Sequence, residues 1–170
     1  MSSVVLPWLE YRWSFEFPAG MYRAVLERLR GTPARLEELV RDARPAALIR
    51  RQPGKWSAQG HAGHLWTIES LWQARVREFL RGATVLTPAD MSNRATDAAA
   101  YDERPLAEIL AGFRAARTET VAWLDPLTVE DAARVAHHPR LDRSMRLVDL
   151  CFFVAEHDDH HLATIRWLAG

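Results

Sequence analysis

His157 and His161 stand four residues apart near the end of the chain, which on an α-helix is about one turn. Two imidazoles so spaced point the same way and can grip one ion, at a metal–nitrogen distance of about 2.1 Å for zinc. At ~100° per residue, Leu147, Leu150, Cys151, Val154, Ile165 and Leu168 form one apolar stripe, and both histidines fall on it or beside it. His160 rotates to the stripe's edge and Asp159 faces away. Asp158 lies inside the stripe, where a carboxylate needs a partner.

A second group precedes it. His61, His64, Ile68, Leu71, Trp72 and Phe79 make the apolar face of another helical segment, with His64 near its centre and His61 one turn earlier. One ligand from this helix would complete a three-histidine site with coordination positions left for water or substrate, the pattern of catalytic rather than closed structural sites. A lone histidine on an apolar face is more often a core residue bonded to a neighbour. Two at i and i+4 would need two separate partners, and a third on another helix strengthens the metal reading. Such a set suits zinc, nickel or iron.

The run His157-Asp158-x-x-His161 is one methylene short of the His-Glu-x-x-His signature, in which the carboxylate is a general base. The chain lacks the strand content and length of such proteases. Asp158 is therefore expected to support catalysis by orienting a ligand imidazole or accepting a proton. His137 and His138, beside Pro139, read as loop residues, one of which could line the mouth of the site. Arg75 has two readings: a core-edge residue reaching solvent, or an anion clamp beside the metal.

The elements that must position these groups are helical. Pro18 can open a first helix, broken at Gly31-Thr32-Pro33 and restarted with Thr32 as N-cap. Residues 45–55 read as a loop, and Ser57 caps a second helix ending near Gly82. A linker containing Pro88 and Asn93 leads to a third helix from Pro105 to about Leu124. Residues 126–142 read as irregular, and a fourth helix runs from about Ser144 to the end. No strand pattern or repeat stands out. Four helices, each with one apolar stripe, predict an all-α four-helix bundle spanning residues 18–170. Residues 1–17 form an N-terminal extension rich in aromatics: Trp8, Tyr11, Trp13, Phe15 and Phe17. This segment and Trp66, which projects opposite His64, predict a homodimer.

Composition limits the function. Among 170 residues, 22 basic and 22 acidic side chains cancel, with only Lys55 as a lysine, so there is no basic excess for nucleic acid. No run of about 20 apolar residues predicts a membrane span. Residues 1–18 carry Glu10, Arg12 and Glu16 and do not read as a signal peptide, and Cys151 is the single cysteine. These features predict a cytoplasmic protein acting on a small molecule.

Trp56-Ser57 with His64-Leu65 seven residues after the serine, and Glu156-His157-Asp158-Asp159-His160-His161-Leu162, resemble the DinB/YfiT-like family. Gly31-Thr32-Pro33-Ala34-Arg35-Leu36 and Gly54-Lys55-Trp56-Ser57 are similar to that family's first helix and loop. The resemblance spans about Met21 to Trp167. It implies an up-down-down-up four-helix bundle and a divalent metal held by His64, His157 and His161. It also implies metal-dependent hydrolysis or thiol transfer, some relatives using a low-molecular-weight thiol such as mycothiol or bacillithiol. Two features depart from the pattern: Gly60 stands where a capping-box glutamate is common, and His61 is an additional histidine.

Overall fold

A computed structural model describes residues 5–170. Four long helices carry the fold: α1 (Tyr22–Val40), α3 (Ala58–Leu80), α5 (Leu106–Leu124) and α7 (Leu147–Ala169). Shorter helices lie between them, α2 (Pro45–Leu48), α4 (Arg94–Ala98) and α6 (Val129–Ala132). A two-stranded hairpin of β1 (Val135–His138) and β2 (Arg143–Arg146) precedes the last long helix.

Contacts between the long helices fix their directions. Along α1 and α7, Arg28 meets Glu156 at 2.7 Å and Arg35 meets Asp159 at 2.6 Å, so the two run parallel. Glu69 meets Arg117 and Gln73 meets Glu119, so α3 and α5 also run parallel. Glu37 with Arg114 and Arg30 with Asp125 make α1 and α5 antiparallel. His64 opposite His157 and His61 opposite His161 do the same for α3 and α7. The arrangement is up-down-down-up. Because α3 and α5 run the same way, residues 81–105 must return along the bundle, about 35 Å for a helix of this length. The crossover carries Asn93 and Thr96 past the histidines.

Ser57 caps α3, its hydroxyl accepting from the Gly60 N–H at 2.9 Å. The first helix does not break at Pro33. A proline inside a helix leaves the carbonyl four residues earlier without its donor. Here that carbonyl is Leu29's, and the Arg117 guanidinium donates to it at 3.1 Å. Thr32 caps nothing; its hydroxyl bonds to the Arg28 carbonyl at 3.1 Å and to Asp158 at 2.8 Å.

The hairpin also departs from the expected irregular segment. Its strands are four residues each and pair with each other, Val135 opposite Arg146 through His138 opposite Arg143, with one further parallel bridge from His137 to Val85. Neither alternates apolar and polar residues, which is the signal a strand reading needs. The hairpin anchors the aromatic segment: Arg146 Nη2 donates to the carbonyls of Phe15 (3.0 Å) and Phe17 (2.9 Å), and Arg143 to that of Trp13. Trp8, Trp13 and Phe17 pack against the bundle's own core.

Trp66 does not project outward. It lies on Gly112 of α5, where an added Cβ would fall 2.4 Å from the indole, so only glycine admits the ring. Both features that predicted a homodimer are thus packed within the chain. Among the described residues, no helix is long and apolar enough to cross a membrane.

The core has two apolar clusters, one around Leu26, Phe79, Val121 and Phe153, the other around Leu36, Leu65, Phe113 and Ile165. Between them each long helix contributes buried polar residues: Thr32, Glu69, Arg117 and Thr120, and the run His157, Asp158, His161. The candidate site lies at this layer.

Candidate metal centre

The antiparallel packing of α3 on α7 brings His64, His157 and His161 together, all nearly fully buried. Their Nε2 atoms face one another, His64 to His157 at 3.4 Å and His157 to His161 at 3.2 Å. Ligand nitrogens about 2.1 Å from a tetrahedral ion are about 3.4 Å apart, so the spacing fits one ion.

The outer ring nitrogens are mostly held. His64 Nδ1 lies 2.9 Å from the Thr96 hydroxyl, and His161 Nδ1 lies 2.8 Å from His61 Nδ1. A proton on Nδ1 of His161, donated to His61, leaves the Nε2 lone pair free for the centre. Among the described residues His157 Nδ1 has no partner; its ring is wedged between Trp8 (5.1 Å) and Trp72 (5.5 Å). Trp56 lies over the His64 ring at 4.7 Å and donates its indole N–H to Asp97 at 2.7 Å.

Burial dominates the electrostatics. It pushes His64 down from 6.5 to about 4 and His61 to about 3, and drives His157 and His161 well below 6.5, neighbouring imidazoles adding to the effect. All four rings are neutral near pH 7, the state in which imidazole binds metal.

A pocket of about 280 Å³ opens beside the cluster. Trp8, Trp72 and Phe153 are part of its apolar lining, and Arg75, His138 and Arg140 line it together with the crossover residues Asp90 and Asn93.

Asp158, expected to support the site, is placed elsewhere. It is fully buried, takes Arg117 Nη1 at 2.5 Å and Nη2 at 3.2 Å, and accepts from Thr32. No imidazole is among its partners in the described residues. One helix position turns ~100°, so Asp158 points away from its neighbour His157 into the bundle's interior.

Residues 28–165 match the family model of the DinB superfamily. The chain belongs to the DinB superfamily. No curated protein matches it in sequence. A solved structure with a TM-score of 0.79 covers 94% of this chain and 91% of its own at 22% identity. It is described as YfiT from Bacillus subtilis, "a probable metal-dependent hydrolase with an unusual four-helix bundle topology". At that identity the likeness carries the fold.

Several residues at the histidine cluster and its pocket in this DinB protein carry little or no signal in the sequence. Thr96 lies in a crossover whose return path depends on helix direction, and Arg140 sits in the turn of a hairpin that no strand pattern announces. His138 reads as a loop residue, yet it is buried in the pocket wall, whereas His137 is partly exposed and faces Asp142 at 3.4 Å. Arg75 is buried and does not reach solvent. For Trp8 the one signal available is the aromatic richness of residues 8–17.

Proposed function

We propose that His64, His157 and His161 hold one divalent metal ion and that the protein is a metal-dependent enzyme acting on a small electrophile, with water or a low-molecular-weight thiol as nucleophile. The observation that carries the reading is the convergence of three neutral imidazoles on the wall of a pocket, with ligand nitrogens all within 4.8 Å of one another. The description of YfiT as a probable metal-dependent hydrolase supports the hydrolytic form of it. A bound ion with three neutral ligands keeps its full charge, and so lowers the pKa of water or thiol beside it.

The chain's own residues supply position and dryness. His61 and Thr96 hold the outer nitrogens of two ligand rings, fixing their tilt. Trp8, Trp56 and Trp72 surround the cluster, and this apolar enclosure raises the strength of any charge interaction inside it. Asp158 has no place in this chemistry; we assign it to holding α7 against α5 and α1.

Elemental analysis of protein purified without a histidine tag tests the centre. We expect one zinc, nickel or iron per chain in the wild type and none in H157A, with helicity unchanged. Stoichiometric metal retained by H157A would overturn the assignment. Loaded protein is then screened for hydrolysis and thiol conjugation, where H157A should be inactive.

A further inference from the structure

We propose that Arg75 and Arg140 form a seat for an anionic group, a carboxylate or phosphate-type oxyanion, on the substrate that enters the histidine pocket. The proposal deepens the metal-dependent reading and rests on it only in taking the bound anion to be part of the substrate.

The seat is visible as an excess of donors. Arg75 is 1% exposed, and its Nε donates to the Thr87 carbonyl at 2.9 Å, yet its Nη2 is buried with no partner among the described residues. Arg140 Nη2 is likewise buried and unpartnered. Neither guanidinium makes an ion pair with a carboxylate among the described residues. Arg117, the other fully buried arginine, has two.

His138 adds to the excess. Its Nδ1 accepts the Leu141 N–H at 3.2 Å, which places the ring's single proton on Nε2. That atom faces Arg75 Nη1 at 3.1 Å, so two donors meet there. Protonating the ring would not relieve the conflict, and burial with the two arginines pushes His138 down to about 4. The nearby carboxylate Glu78 acts on Arg75 through its charge but gives its oxygens to Thr87, and Asp90, which also lines the pocket, bonds to Ser92, so no carboxylate bonds to either guanidinium among the described residues. Buried cations are ordinarily paired, and a bidentate oxyanion on a guanidinium is among the strongest such pairs.

Placement links the seat to the metal centre. The Arg75 guanidinium stacks 5.5 Å from the Trp72 ring and that of Arg140 5.4 Å from Phe153. Trp72 in turn lies 5.5 Å from the His157 ring. Arg75 is thus held one residue removed from a candidate ligand, and Arg140 lies on Phe153, which in turn packs on Trp72 at 6.2 Å. An anion bound there would place the rest of a small molecule over the three histidines.

Isothermal titration calorimetry on the full chain, metal-free and zinc-loaded at constant ionic strength, tests the seat with inorganic phosphate, malonate and neutral malonamide. We expect phosphate or malonate to bind the metal-free protein one to one, the tighter of the two identifying the oxyanion class, and malonamide not to bind. R140Q should weaken that binding about tenfold or more, with zinc stoichiometry and circular dichroism unchanged. R75Q should do the same where it folds; because Arg75 is buried, R140Q alone decides the matter if it does not. Anions that bind folded wild type no better than malonamide, or bind R140Q as they bind wild type, overturn the seat. Arg140-dependent anion binding in a protein that takes up no zinc leaves the seat standing and the metal reading fallen. Zinc binding without anion binding does the reverse.

Discussion

His157 and Asp158 are neighbours in sequence, both buried, and belong to opposite kinds of polar cluster. Asp158, Arg117, Glu69, Thr32 and Thr120 form a closed network: Arg117 bonds to both carboxylates, Thr120 donates to Glu69 at 2.7 Å, and Thr32 donates to Asp158. The Arg117 guanidinium also repairs the gap Pro33 leaves in α1. Around His157 the polar groups are left unmatched. Three imidazoles turn ring nitrogens toward one another, and among the described residues His157 Nδ1 has no partner and Arg75 and Arg140 keep unused donors. A buried polar cluster that satisfies itself is architecture; one that leaves acceptors converging on one point and donors on another is shaped for molecules that are absent.

The sharpest way to break the closed cluster is to remove its centre. D158A leaves Arg117 and the Thr32 hydroxyl short of a partner, and breaking a buried pair by deleting one member costs roughly 3–5 kcal/mol. Urea unfolding should register that loss while metal content, in protein kept folded, stays at the wild-type value. A D158A protein of wild-type stability that fails to bind metal would reverse the division and restore Asp158 to the site.

Acid should separate the clusters next. In the unfolded chain the histidines take up a proton near pH 6.5, whereas in the folded protein His64 and His138 wait until about 4 and His61 until about 3. Below pH 6.5 the unfolded state therefore binds more protons, so the metal-free protein has its full stability above 6.5 and loses it as pH falls toward 4 and then 3. Thermal melts of chelator-treated protein across pH 7.5 to 4 should show a falling Tm. Saturating metal, which binds only the folded neutral site, should raise Tm most near neutrality and lose that advantage as protons compete. A metal-free Tm flat from 7.5 to 5 would mean the histidines are not held neutral by the fold.

The same contrast explains what the sequence discloses. The histidine cluster is legible because its three residues sit on two strongly periodic helices, and helix periodicity reports which side chains share a face. Asp158 misleads for the same reason: a stripe about 100° wide cannot tell the site's half from the neighbouring interior half, and only the position of Arg117 on α5 decides between them. The up-down-down-up order comes from family resemblance, since no local pattern encodes the direction of one helix relative to another. Thr96 and Arg140 are beyond reach, and His138 is legible only as one of two loop histidines that could line the mouth, because a crossover and a hairpin placed by tertiary contacts bring them to the cluster and its pocket. The break expected at Pro33 does not occur because propensity is local, whereas the repair comes from Arg117, 88 residues beyond the Leu29 carbonyl it serves.

The smallest effects should come from the two residues that hold the ligand rings, and they rank the site's outer contacts. His61 and Thr96 each bond to an outer nitrogen, of His161 and His64 respectively, and losing such a contact lowers metal affinity by roughly 10–100-fold without removing a ligand. H61Q should fall at the upper end. It deletes a bond at 2.8 Å between the half-buried His61 ring and the buried His161 ring, and also vacates part of the wall against Trp56, which lies 5.4 Å from His61. T96V should fall at the lower end, because it is nearly isosteric and the Trp56 ring still covers His64. Competition titrations with a zinc-chelating dye should therefore order the affinities wild type, T96V, H61Q, with H157A taking up none. Complete loss of metal in H61Q together with full retention in H64Q would mean that His61, and not His64, is the ligand from α3. The 2.8 Å contact between His61 and His161 would then join two ligands of the centre itself.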